Sequence, residues 1–364
     1  MDVNEKKQLD HKKKVRIGLL MGILCALYWG IWYVPGNSAW NLDILLELQD
    51  NLAETSLSGD MQTIAACIFI TGFNAIFCAL VLFIWNGGLK KLPEFKRELV
   101  EVRGASKYFM MAGICGACAV SGTYLAAFNL SSGFAAIAGL LYPIIGTIMS
   151  VLYLKQKVSK RGYLAIIVLL IGGITLYAGS IATGGVTGGE GTNPTIGLIG
   201  GVMAAVGWGF EGVCAGKALD FCEPDVGLHL RFVFEAIFWA IVMCVLAVCG
   251  VPIFSTVGEF LDPATFFIFI LLGLSFAWCY VTWYKSFPLL GVARGQAVGS
   301  LYAACAVLFL CLFCGPQSAL GYTDETMAII VGSTIAGLII CLIGSFLLAS
   351  EDTEGLVSLR ERGD

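Results

Sequence analysis

Between Ile17 and Ala349 the chain passes through ten apolar stretches, each about the length of a bilayer crossing. A spanning helix needs roughly 20 mostly apolar residues. Inside lipid every backbone N–H and C=O must find its partner within the protein, so runs like these become helices. The predicted spans are residues 17–40, 62–86, 106–128, 131–154, 161–182, 195–217, 228–250, 264–287, 290–314 and 326–349. Charged residues make up 13% of the 364, against about 25% in a soluble domain, and 58% are hydrophobic. The expected fold class is an all-α membrane protein with ten transmembrane helices, multi-pass in the cell membrane. The first span follows a basic stretch without a small-residue cleavage site, so it reads as a retained helix and not a signal peptide.

Lysine and arginine fix the expected orientation, because loops rich in them stay in the cytoplasm. All 22 fall in the tails, in the even-numbered loops or in the span ends beside them: Lys6 to Arg16, Lys90 to Lys107, Lys155 to Arg161, Lys217 with Arg231, Lys285 with Arg294, and Arg360 with Arg362. The odd-numbered loops carry acids alone, among them Asp43, Glu47, Asp60, Glu190, Glu259 and Asp324. Both termini are therefore expected in the cytoplasm.

The halves of the chain resemble each other. "LLMGILCALYWG" (19–30) aligns with "LIGGVMAAVGWG" (198–209), pairing Gly22 with Gly201, Trp29 with Trp208 and Gly30 with Gly209. A second offset pairs Tyr124 with Tyr284, Leu130 with Leu290, Gly139 with Gly299, Leu141 with Leu301 and Tyr142 with Tyr302. Five helices per half is an odd number, so the second half must lie upside down relative to the first. The expected organisation is a basic tail (1–16), a first five-helix repeat (17–182), an extracellular linker (183–194), a second repeat (195–349) and a tail (350–364). Inverted repeats are a plan of secondary transporters, with substrate near the midplane where the repeats meet. Pro143 should kink the fourth span. Its repeat mate is Ala303, so the two halves need not bend alike.

The chemistry lies in a few residues. Fourteen cysteines and two histidines are present. The CxxC pairs Cys115/Cys118 and Cys311/Cys314 lie inside apolar runs with no further ligands around them, so no metal, cofactor or enzyme is expected. No nucleic-acid partner is expected either, while a homodimer stays open. Glu211 stands in mid-chain of the sixth span, three residues after Trp208 and so on its helix face. A charge at that depth costs about 2.5–3.5 kcal/mol on insertion scales, and is a functional-site candidate by default. Trp29, Trp208, Tyr142 and Tyr302 also fall near midspan, and Tyr280 and Tyr284 share a face of the eighth span. Ring faces attract a desolvated quaternary ammonium by about 0.5–2 kcal/mol each. An aromatic cage with Glu211 as counter-charge would suit a small organic cation. Each ring can equally be packing, and Glu211 can equally be a protonated structural carboxyl or the place where a proton competes with substrate. A salt bridge is less expected, since no lysine or arginine is placed at the depth of Glu211. Arg231 and Glu235, four apart on the seventh span, are expected to neutralise each other or to face the cytoplasmic mouth. The role of Trp32, just outward of Trp29, stays open.

Four stretches carry a likeness to a known family: "LYWG" (27–30), residues 124–174 with their basic KxKxS loop, "IGLIGGVMAAVGWGFEGV" (196–213) and "YVTWYKSFPLLGVARGQAVGSLY" (280–302). They resemble the drug/metabolite transporter superfamily with EamA-type repeats, and within it the bacterial choline-uptake members. The resemblance implies a ten-helix transporter in which Trp29, Trp208, Tyr280, Tyr284 and Tyr302 form the cage around the substrate cation and Glu211 balances its charge. A transporter of neutral metabolites, such as sugars, nucleosides or amino acids, is the alternative within the same superfamily. A zwitterion such as betaine would want a donor for its carboxylate, and the sequence offers none at midplane.

Overall fold

The computed structural model describes residues 3–155, 159–182, 192–320 and 325–349. The apolar stretches become α1 (Val3–Ala39), α2 (Gly59–Gly88), α3 (Arg103–Asn129), α4 (Ser132–Leu152), α5 (Lys160–Ala182), α6 (Pro194–Ala218), α7 (Pro224–Val248), α8 (Pro263–Leu290), α9 (Val292–Phe313) and α10 (Met327–Ala349). Among the described residues nine of these are long and apolar enough to cross a membrane, and the expected fifth span is the 23-residue α5. Most of the linker expected at 183–194, part of the KxKxS loop and the C-terminal tail fall outside the described residues.

Helix starts follow local chemistry. Ser58, Asn193 and Asp262 each accept a hydrogen bond from a backbone N–H of the first turn of α2, α6 and α8, occupying a donor that the helix itself cannot satisfy. Proline opens α6, α7 and α8, where its missing N–H costs nothing. Gly291, at φ +82°, separates α8 from α9 by a backbone turn that side-chain-bearing residues avoid.

Packing partners exchange when each helix is replaced by the one five places along. α3 packs on α6 as α8 packs on α1, and α4 on α6 as α9 on α1; α2–α7 and α5–α10 map onto themselves. Small residues make the α3–α6 approach possible. A Cβ on Gly122 would meet the Gly200 carbonyl, and one on Gly200 the Gly122 carbonyl. Such close backbone contact is what holds helices together where lipid supplies no hydrophobic drive.

α4 and α9 are both broken in mid-span, α4 by a 3₁₀ turn at Gly139–Leu141 and α9 at Ser300–Leu301. Pro143 has Ala303 as its repeat mate, which left the halves free to bend differently, yet both helices break at this level. Pro143 sits in the first turn after the break, where proline fits. Both breaks share a contact: the Tyr302 hydroxyl stands against Gly139, and the Tyr142 hydroxyl against Gly299. Each broken helix takes up the side chain of the other.

At the end bearing the basic loops, Asp225 is 2% exposed and accepts from Lys91 at 2.9 Å, Lys285 at 2.8 Å and Trp85 Nε1 at 3.2 Å. Lys91 also pairs with Glu223. These contacts join the end of α2, the start of α7 and the last turns of α8. At the opposite end the acidic segment after α1 forms a short amphipathic helix, Asp43–Ala53, burying Ile44, Leu45, Leu48 and Leu52.

Candidate substrate site

Glu211 on α6 and Arg231 on α7 meet in the interior. Arg231 Nε donates to Glu211 Oε1 at 2.6 Å, Nη1 pairs with Glu235 Oε2, and Nη2 donates to the Tyr280 hydroxyl at 3.3 Å. All three charged side chains have no exposed surface. The pairing of Arg231 with Glu235 agrees with expectation. The placing of Arg231 at the helix mouth, with no base at the depth of Glu211, is corrected. α7 begins at Pro224, a turn earlier than the sequence suggested, so Arg231 stands seven residues into α7 while Glu211 stands seven residues before the end of α6 at Ala218. At about 1.5 Å per residue both lie roughly 10 Å from the short connection joining the two helices. The Glu-Pro-Asp sequence at 223–225 was the signal, since proline favours the first helical position.

Glu211 is fully engaged. Its Oε1 accepts from Arg231 and from the Tyr284 hydroxyl at 3.1 Å, and its Oε2 from the Tyr280 hydroxyl at 2.9 Å. Tyr280 in turn accepts from Trp208 Nε1 at 3.0 Å and from Arg231, so its one proton and two lone pairs are all used. The guanidinium lies over the faces of Phe232 and Tyr280, with Cζ 4.0 Å and 4.6 Å from their centroids. Glu235 is different: among the described residues its buried Oε1 has no hydrogen-bond partner. Two carboxylates and one guanidinium make a unit of net charge −1 when both acids are ionised.

All six residues picked from sequence come together. Trp29 stacks on Tyr302 with centroids 4.3 Å apart, stands edge-on to Trp208 at 4.7 Å, and lies 6.1 Å from Tyr280. Tyr284 lies 5.8 Å from Tyr280. Tyr142 and Trp283 complete the cluster, 5.7 Å and 5.5 Å from Trp29. Trp32, left open above, stacks on Phe276 at 4.5 Å and donates to Asn74 at 3.1 Å, which makes it a neighbour of the cluster through Phe276. Trp283 was missed because it has no aromatic repeat mate, though it follows Tyr280 by three residues and so shares its helix side. The rings touch one another in this conformation. A cation held between two faces stands within about 6 Å of each centroid, so entry between Trp29 and Tyr302 requires those rings to part.

Gly116 on α3 leaves the room that the guanidinium occupies, since a Cβ there would collide with Arg231 Nη2 and stand 2.8 Å from Glu211 Oε2. Gly116→Ala should lower stability by about 1–3 kcal/mol, the range for overpacking a filled interior. Gly104→Ala, on the same helix with open space around it, should not. Thermal unfolding of the two variants in detergent checks this.

Residues 58–178 match the EamA-like transporter family. The matched range contains Gly116 and Tyr142, whereas Trp29, Trp208, Glu211, Arg231, Glu235 and Tyr280 lie outside it. The chain also superposes on a protein of known crystal structure with TM-score 0.54 at 12% identity, over 92% of this chain and 99% of that one, a likeness of fold alone. No curated protein matches in sequence. The match covers a third of the chain, and the nine long apolar helices among the described residues point to a multi-pass membrane protein.

Proposed function

We propose that the protein is a secondary transporter that imports a small organic monocation, choline or a related quaternary or methylated amine, by alternating access of two inverted five-helix repeats. The observation that carries this reading is the buried Glu211–Arg231–Glu235 unit, joined through Tyr280 to a cluster of rings and one negative charge in excess when both acids are ionised. The counter-charge belongs to the unit as a whole and not to Glu211 alone. Rings bind a cation that offers no hydrogen-bond donor, and the unit offsets its charge where water does not. Five-helix halves with exchanged packing partners, meeting at these residues, fit a transporter that rocks about a central site. In a cell negative inside, a monocation moving inward gains about 2.3 kcal/mol per 100 mV, roughly fifty-fold accumulation without a coupling ion. A proton on the unit competes with the cation for the same charge.

The second reading, a carrier of neutral metabolites, is favoured by the full engagement of Glu211. Thermal stability of the purified protein separates the two. Choline at 100 times its dissociation constant should stabilise the fold by about 2.7 kcal/mol. A shift with sugars or amino acids and none with methylated amines would favour the neutral carrier.

A further inference from the structure

At the end bearing the basic loops, several cations are matched by acids. Lys91 and Lys285 are taken up by Glu223 and Asp225, and Lys217 pairs with Asp220 at 3.8 Å. Lys90, Lys96 and Arg97 are exposed but share their segment with Glu94, Glu98 and Glu101. Around the starts of α3 and α5 the balance differs. Arg103, Lys107, Lys155, Lys160 and Arg161 are all exposed, and none has an ion-pair partner among the described residues. No acid occurs between Tyr153 and Tyr163. The Tyr108 and Tyr153 hydroxyls are hydrogen-bonded at 2.7 Å, which fastens the start of α3 to the end of α4. Lys155 lies two residues past that bond, and the chain can carry Lys160 no further than about 18 Å from Lys155. Arg103, Lys160 and Arg161 stand in first turns that contain no acid. The N-terminal end of a helix is its positive end, so these cations sit where their own helices repel them, and an anion beside them relieves that cost.

Below the cations the exposed faces turn apolar. On α3, steps of four and three lead from Arg103 and Lys107 to Met111 and Ile114; on α5 they lead from Lys160 to Leu164, Ile167 and Ile171, all of them exposed. Leu152, at the end of α4, is 69% exposed. Tyr153 and Tyr163, each about half exposed, stand at the change, where aromatic rings mark a membrane surface. Charge above and hydrocarbon below is the order of a phospholipid headgroup over its chains.

We propose that the face running from the start of α3 across the end of α4 to the start of α5 binds an anionic phospholipid of the adjacent leaflet. Its phosphate lies among the five cations and its chains lie along the apolar stripes of α3 and α5. Arginine and lysine beside a membrane attract such headgroups, and their long stems reach past apolar surface to the headgroup level. A zwitterionic lipid carries the same phosphate, but its own ammonium cancels the charge the cations attract. The inference is independent of the transported substrate and uses no residue of the ring cluster.

Native mass spectrometry of the purified full chain, titrated in neutral detergent with dioleoylphosphatidylglycerol or dioleoylphosphatidylcholine, reads the affinity for each lipid. The wild type should hold the anionic lipid at least about tenfold more tightly. One basic residue near an anionic headgroup changes affinity about fivefold. Arg103→Gln with Lys107→Gln and Lys155→Gln should therefore bring the two lipids to within about twofold of each other. Lys90→Gln with Lys96→Gln and Arg97→Gln removes the same charge from the same end of the molecule and should leave the preference in place. Equal wild-type affinity for the two lipids would overturn the proposal. So would an equal loss in both triple variants, the mark of a diffuse surface potential. Thermal unfolding adds a further arm: inorganic phosphate that stabilises the wild type as much as phosphatidylglycerol does would identify a free-anion site and overturn the lipid. If the first triple variant does not fold, Lys107→Gln alone, with its fivefold loss set against Lys96→Gln, decides instead.

Discussion

Replacing Arg231 with methionine lowers stability by about 3–5 kcal/mol, the range for removing one partner of a buried ion pair. The loss comes less from the missing attraction than from what stays behind. Glu211 and Glu235, both without exposed surface, face each other with no base between them. Two further variants separate this from a loss of packing against Phe232 and Tyr280, on whose rings the guanidinium rests. Arg231→Met with Glu211→Gln and Glu235→Gln removes every charge and should recover most of the lost stability, because well-packed neutral groups often replace a buried ionic cluster without penalty. Arg231→Lys should recover little. An ammonium is a point charge, and the contacts to Glu211, Glu235 and Tyr280 use separate nitrogens of a planar fork. Unfolding in detergent, followed by near-ultraviolet absorption of the tryptophans, reads all three.

Neutralising either acid should have the opposite profile, with the fold kept and the ligand lost. In Glu211→Gln, Arg231 still pairs with Glu235; in Glu235→Gln it still pairs with Glu211. Each variant is electrically balanced, so neither should destabilise the protein much. Each also takes away the single excess negative charge that a bound monocation requires. Deleting one partner of a desolvated charge pair weakens binding by about 2–5 kcal/mol, roughly 30-fold to several thousand-fold. The two losses should be alike, although Glu211 is tied to the cluster through Tyr280 and Tyr284 and Glu235 is not.

The spans were legible in the sequence because lipid imposes one requirement on every crossing segment, a run of apolar side chains about 30 Å long, and that requirement acts locally. The rings were legible for a related reason. Trp29, Trp208 and Tyr302 stand far from the helix ends where aromatics normally mark the membrane surface, and depth alone was enough to group them. The charge unit was not legible, since its assembly turns on where α7 starts. Moving that start to Pro224 draws the helix out by a turn and carries Arg231 from an expected mouth to the level of Glu211. The break in α9 was hidden as well, because no proline marks it. Beside it the Tyr142 hydroxyl from α4 stands against Gly299, a contact between residues far apart in sequence.

Calorimetric titration of choline into wild type, Glu211→Gln and Glu235→Gln tests most directly whether the buried unit balances the ligand as a whole. Tight binding to the wild type and comparable, at least 30-fold weaker binding to both variants is the predicted result. Undiminished binding to Glu235→Gln would contradict it and return the counter-charge to Glu211 alone.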